Sequence, residues 1–139
     1  MRTRIIVGII GVMAVAGAAT LAARGIDAVG ADKQWSIVNF ADPVRVAGTL
    51  VMGPVLIVHD SNKMARGEAC TTFYRFKPGK GPADEIVSFH CIPVRRAVVS
   101  RFTLRTRPNT ELGFGCVLTE YQFAGDPEGH GVPYATNAH

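Results

Sequence analysis

The stretch CTTFYRFKPGKGPADEIVSFHC, residues 70–91, decides the fold class of this chain. Two runs rich in Thr, Phe, Tyr, Ile and Val flank KPGKGPAD, a segment of Gly, Pro and charge, and that is the pattern of a β-hairpin. With KPGKGPAD as the loop, Phe76 faces Glu85, Tyr74 faces Val87, Thr72 faces Phe89 and Cys70 faces Cys91. Side chains alternate along a strand, so all of these fall on one side of the pair, the more apolar one. The other side carries Thr71, Phe73, Arg75, Ile86, Ser88 and His90.

Working outward, the same texture recurs. WSIVNF, VRVAGTLV and VLIVH precede the hairpin, and VVSRFTLRT and LGFGCVLTEYQF follow it. Gly, Pro, Asp and Asn punctuate these runs, and no amphipathic helix of useful length intervenes. SNKMAR predicts a single helical turn, capped by Asp60 or Ser61 and ended by Gly67. Six to seven short antiparallel strands, each burying one face, predict an all-β domain: a small sandwich or partly open barrel over residues 32–125. Residues 126–139, with frequent Gly and Pro and no alternation, predict an irregular C-terminal tail.

The segment FADPVRVAGTLVMGPVLIVHD, residues 40–60, resembles the opening of small exported bacterial β-domains that begin F-x-x-P-V-x-V-x-G. Met52-Gly53-Pro54 departs from the Gly-Thr-Tyr of that pattern. The resemblance spans about twenty residues. It implies an envelope β-domain and carries over no functional residue.

The N-terminus points the same way. MRTR is a short basic segment, and Ile5 to Ala23 is uncharged and apolar. AVGA ends at Ala31 with small side chains at Val29 and Ala31, the positions a signal peptidase reads. Residues 1–31 are therefore expected to be a signal peptide or, if uncleaved, a membrane anchor held with Arg2 and Arg4 inside. Either way the rest is expected to be exported to the periplasm, the cell surface or the medium. The chain is formally +4, but Arg2, Arg4, Arg24 and Asp27 lie in the leader, leaving twelve basic and ten acidic residues from Asp32 onward, a balance of +2. Nucleic acid is thus not an expected partner.

Three cysteines in an exported chain allow one disulfide and one spare thiol. The hairpin register selects Cys70–Cys91, closing a loop worth roughly 3 kcal/mol in the chain-entropy model. Cys116 shares a side with Phe114 and Leu118 and is expected to be a free thiol packed as a small apolar residue. A metal site built from His59, His90 and Cys91 is the sharper alternative. It is opposed by alternation, because His90 and Cys91 are adjacent on a strand and point to opposite faces. His130, between two glycines, is expected to be accessible. No Cys-x-x-Cys or His-x-x-x-His spacing exists, and no cofactor is expected.

Arg101, Arg105 and Arg107 share a strand face and form a candidate anion-binding stripe, with a solvated outer face as the plainer account. No G-x-S-x-G and no glycine-rich phosphate cradle before a helix is present, so the ordinary hydrolase classes have no constellation to stand on. The expectation is a non-catalytic binding or structural module of the envelope, its partner an envelope component or anionic surface. The alternative is an envelope metal or thiol-redox protein using Cys70, Cys91 and Cys116 with His59 or His90.

Overall fold

The structure is a computed structural model that describes residues 32–135. The expected leader, residues 1–31, and the last four residues lie outside the described residues. Eight strands form: β1 (Lys33–Val46), β2 (Thr49–Asp60), β3 (Thr71–Lys77), β4 (Gly81–Phe89), β5 (Ile92–Arg95), β6 (Thr103–Pro108), β7 (Cys116–Gln122) and β8 (Glu128–Gly131). One short helix, α1 (Ser61–Ala65), follows β2. Asp60 caps it, its Oδ1 accepting from the backbone N–H groups of Asn62 at 2.9 Å and Lys63 at 3.2 Å. Among the described residues no helix is long and apolar enough to cross a membrane.

The fold is mostly β, as the alternation implied, but all eight strands belong to one sheet. Its order is β4-β3-β2-β1-β7-β8-β5, with β6 pairing β7. It is mixed rather than purely antiparallel: Val44 and Arg45 of β1 run parallel to Cys116 and Val117 of β7. A kink makes that contact available. Between Phe40 and Val44 the ladder with β2 shifts register at Ala41-Asp42-Pro43, where Pro43 lacks a backbone donor. Gly115 sits against the Pro43 carbonyl, which a Cβ at Gly115 would approach to 2.6 Å.

The sheet folds over itself. The Thr71 hydroxyl on β3 hydrogen-bonds the Tyr121 hydroxyl on β7, although β2 and β1 separate those strands along the sheet. Phe40, Val46, Val51, Val55, Ile57, Phe73, Phe89, Leu118, Tyr121 and Phe123 fill the space between.

Two expectations about this core need correction. VRVAGTLV is not one strand: Val46 pairs with Thr49 across a two-residue turn in which Ala47 and Gly48 both have positive φ, 48° and 92°. Such a turn matches the twist of a hairpin, and here it hides inside an apolar run. The central hairpin also differs from its predicted register. Lys77 pairs with Gly81, so the turn is tighter, and two irregularities between Phe73 and Phe76 each give β4 one extra residue. Thr71 therefore faces Phe89 and Thr72 faces Ser88. A one-residue slip exchanges the faces of a strand. The side of β3 that enters the core thus carries Thr71 and Phe73, both fully buried, rather than Tyr74 and Phe76.

Candidate metal centre

Four residues from separate parts of the chain converge at one end of this core. His59 comes from the penultimate position of β2, Cys70 from just before β3, Cys91 from just after β4, and His130 from β8. All four are buried, with exposures of 2% for His59, 3% for Cys70, 8% for Cys91 and 1% for His130. Ligand atoms of His59, Cys91 and His130 all lie within 4.8 Å of one another. The Cys70 and Cys91 sulfurs are 2.9 Å apart, and both are free thiols. His130 Nδ1 is 3.6 Å from the Cys91 sulfur, and the two imidazole rings stand 4.2 Å apart, centroid to centroid.

Cys70 and Cys91 come close without forming the expected disulfide, and they meet by a route other than the predicted register. The ladder of β3 with β4 ends at Thr71 and Phe89, and in the observed register continuing it would set Cys70 opposite His90. The chain leaves the ladder there instead, and the Cys91 backbone N–H donates to the Cys70 sulfur at 3.3 Å. His90, a candidate ligand from the sequence, does not join the cluster. Alternation keeps it from the position that Cys91 takes. His59, the other candidate, does join it.

His130 is the residue that sequence reasoning missed. The pattern around it implies an accessible side chain in an irregular tail, but Glu128–Gly131 is a strand inserted between β7 and β5. The flanking glycines carried the signal, since a glycine within a strand marks close backbone approach. A Cβ at Gly129 would collide with the Glu120 carboxylate, and one at Gly131 would press on the Ile92 carbonyl at 3.1 Å. The Tyr121 ring stacks on His130 at 4.9 Å and walls the site from the core side.

The electrostatics divide the two thiols. The Cys91 thiol beside it holds Cys70 well below the usual range, and the His59 ring adds to this against the opposing effect of burial. Cys91 is pushed up, first by its contact with Cys70 and then by burial. The two sulfurs sit close enough to share a proton, and either can donate to the other. Burial, followed by repulsion from His59, lowers His130 to about 4, so its ring is neutral at pH 7.

Both nitrogens of His59, and Nε2 of His130, are shielded from solvent and lack a conventional hydrogen bond, although the His59 ring is close enough to act on the Cys70 sulfur and Nε2 of His130 lies 3.9 Å from Asp126. Each buried polar atom left this way costs about 1–3 kcal/mol. Three of them around one cluster require an account. A tetrahedral ion with sulfur at about 2.3 Å and nitrogen at about 2.0–2.1 Å would set sulfur and nitrogen about 3.5 Å apart. The Cys91–His130 separation of 3.6 Å fits that spacing. Two thiolates and two imidazoles are also a donor set typical of zinc.

The remaining candidates lie elsewhere. Cys116 is half-buried at the start of β7, packed against the core, and pairs with Val44 and Pro108. The arginine stripe is not uniform. Arg105 donates to Glu120 and Gln122, each at 3.2 Å, and Arg96 grips the same Glu120 carboxylate through two bonds of 2.8 and 2.6 Å. Glu120 is buried, and Arg96 first, then Arg105, keep its carboxyl below the usual range. Arg107 donates to the Pro108 carbonyl at 3.4 Å, and Arg101 is exposed. No family model, no curated protein and no solved structure matches this chain.

Proposed function

We propose that this chain is an exported envelope β-domain whose role is to hold a transition-metal ion at Cys70, Cys91, His59 and His130, with zinc the expected ion. The observation that carries the reading is the convergence of two buried imidazoles on two juxtaposed sulfurs, with Nδ1 of His130 facing Cys91 and both nitrogens of His59 buried without a conventional hydrogen bond. A hydrophobic lining would have been cheaper if packing were the only demand, because unpaired polar atoms destabilise a core. All four donors come from the protein, which describes a closed centre rather than one with an open catalytic position. Soft sulfur donors also suit Cu(I), so copper competes for the same side chains. Export rests on the basic, apolar and small-residue layout of residues 1–31.

A second reading has its own observation. The Cys70 and Cys91 sulfurs are unbonded but only 2.9 Å apart, which supports a structural disulfide there if the chain is exported to an oxidising compartment, with Cys116 as the free thiol. The two readings separate in one experiment. The reduced full chain is dialysed against zinc and analysed by native and denaturing mass spectrometry. One zinc per chain, lost on denaturation and weakened at least tenfold in His59→Ala and His130→Ala, is expected. A reduced, folded chain that retains no zinc overturns the metal reading.

A further inference from the structure

We infer that the centre is gated by peroxide: the bound ion and a Cys70–Cys91 disulfide are alternative states of the same side chains, and oxidation of the sulfurs expels the ion. This rests on the metal reading above and adds a regulation to it. The sulfur separation of 2.9 Å lies between the two end states. A tetrahedral zinc centre would hold two thiolates about 3.8 Å apart, and a disulfide would draw them to about 2.05 Å. Both cysteines stand just outside the ends of the β3–β4 ladder, so either movement leaves its paired residues in place. Only the thiolate is a metal ligand. A disulfide therefore removes two of the four donors, and the two imidazoles that remain cannot hold the ion in a closed site.

Burial selects the oxidant. Cys70 and Cys91 are 3% and 8% exposed, so an attacking disulfide of a protein or of glutathione cannot align with either sulfur without opening the fold. Hydrogen peroxide is close to water in size and needs the smallest opening of the fold to reach them. In the first step one thiolate attacks a peroxide oxygen. The O–O bond breaks, the sulfur becomes a sulfenic acid, and the departing hydroxide takes a proton to become water. The second thiolate then attacks the sulfenic sulfur, the S–S bond forms, and the second hydroxide leaves and is protonated. Two thiolates, one peroxide and two protons give one disulfide and two waters. The sulfurs lose two electrons, the peroxide gains them, and the zinc leaves unchanged in oxidation state. Cys116 lies on β7, outside the cluster, and takes no part.

The test uses the reduced full chain loaded with zinc alone. Hydrogen peroxide is added while a chelating dye reports released metal and intact mass reports the sulfurs. The expected result is one zinc released per chain, in step with a loss of two hydrogens. Peptide mapping then places the bond at Cys70–Cys91, and dithiothreitol with fresh zinc restores the starting state. Oxidised glutathione should act at least tenfold more slowly. Cys116→Ser should respond as the parent does, whereas Cys70→Ser should show no two-hydrogen loss. The inference is overturned if the two hydrogens are lost while zinc stays bound, if Cys116→Ser abolishes the response, or if both thiols survive peroxide. A reduced chain that binds no zinc overturns the metal reading as well, at the loading step.

Discussion

The Nδ1 atom of His130 lies 3.6 Å from the Cys91 sulfur, and on the far side of the same ring Nε2 lies 3.9 Å from the Asp126 carboxylate. Asp126 is itself held, accepting from Gln34 Nε2 at 3.1 Å and from the Glu128 backbone N–H at 2.9 Å. A histidine that ligates through one nitrogen is oriented by what the other nitrogen donates to. At 3.9 Å the two are not hydrogen-bonded, and Asp126 would become a positioning residue for His130 once the ring closes that gap on binding an ion. Asp126→Asn should weaken zinc binding roughly 10- to 100-fold, the usual cost of losing such a partner. Competition against a chelator of known affinity measures it, and affinity within a factor of two of the parent would remove Asp126 from this role.

The metal-free protein should lose stability as pH falls below neutrality. His130 in the folded chain takes up a proton only near pH 4, mainly because of its burial. An unfolded imidazole does so near 6.5. Between those values the unfolded chain binds more protons, so stability is full above pH 6.5 and declines as pH drops toward 4. The total is about 3 kcal/mol. Urea midpoints taken at pH 7 and pH 5, above the midpoints of ordinary Asp and Glu side chains, should show more than half of this loss, and His130→Gln should abolish it. Equal midpoints at the two pH values would mean that His130 is not buried neutral.

Strand content was legible because alternation and punctuation are local. Val55, Ile57 and His59 already share a face when VLIVH is read as a strand, and Asp60 reads as a cap before SNKMA. Register was not legible, because it depends on two irregularities in β4, one between Val87 and Glu85 and one between Glu85 and Pro82, which reading KPGKGPAD as a plain loop hides. The parallel contact of β1 with β7 was hidden for a similar reason: it needs the kink at Pro43 and the close approach of Gly115 together. His59 and Cys91 could be named as candidates from their chemistry alone. Their partner His130 could not, because a four-residue strand between glycines has too little alternation to stand out.

Gly129 links the carboxylate cluster to the metal centre. An alanine Cβ there would collide with Glu120, which two arginines pin in a buried position. Overpacking of this kind costs about 1–3 kcal/mol, and it would also push β8, and with it His130, away from β7. Gly129→Ala should lower both urea stability and zinc affinity. Gly125, with φ of 77° and open space for 4 Å around the position a Cβ would take, is the control. Gly125→Ala should cost about 1–2 kcal/mol from its backbone alone and leave zinc affinity unchanged. Loss of zinc affinity in both variants alike would show that general destabilisation, not the displacement of β8, is responsible.

The arginine stripe should divide under mutation. Arg105 bonds a buried carboxylate and the buried Gln122 side chain, so Arg105→Ser leaves polar groups short of partners. Arg96 still holds Glu120 by two bonds, and the Arg105 side chain is 35% exposed, which limits the loss to about 1 kcal/mol. Arg101→Ser and Arg107→Ser break no side-chain ion pair that supports the core and should stay within about 0.5 kcal/mol of the parent. If the face also binds anions, all three substitutions should lower retention on anionic vesicles to a similar degree, since each removes one charge. Urea melts and vesicle co-sedimentation on the same three variants separate the roles. A stability loss confined to Arg105 with retention unchanged throughout assigns Arg105 to the fold and the other two arginines to solvent, whereas equal stability in all three would mean that the Glu120 carboxylate needs only Arg96.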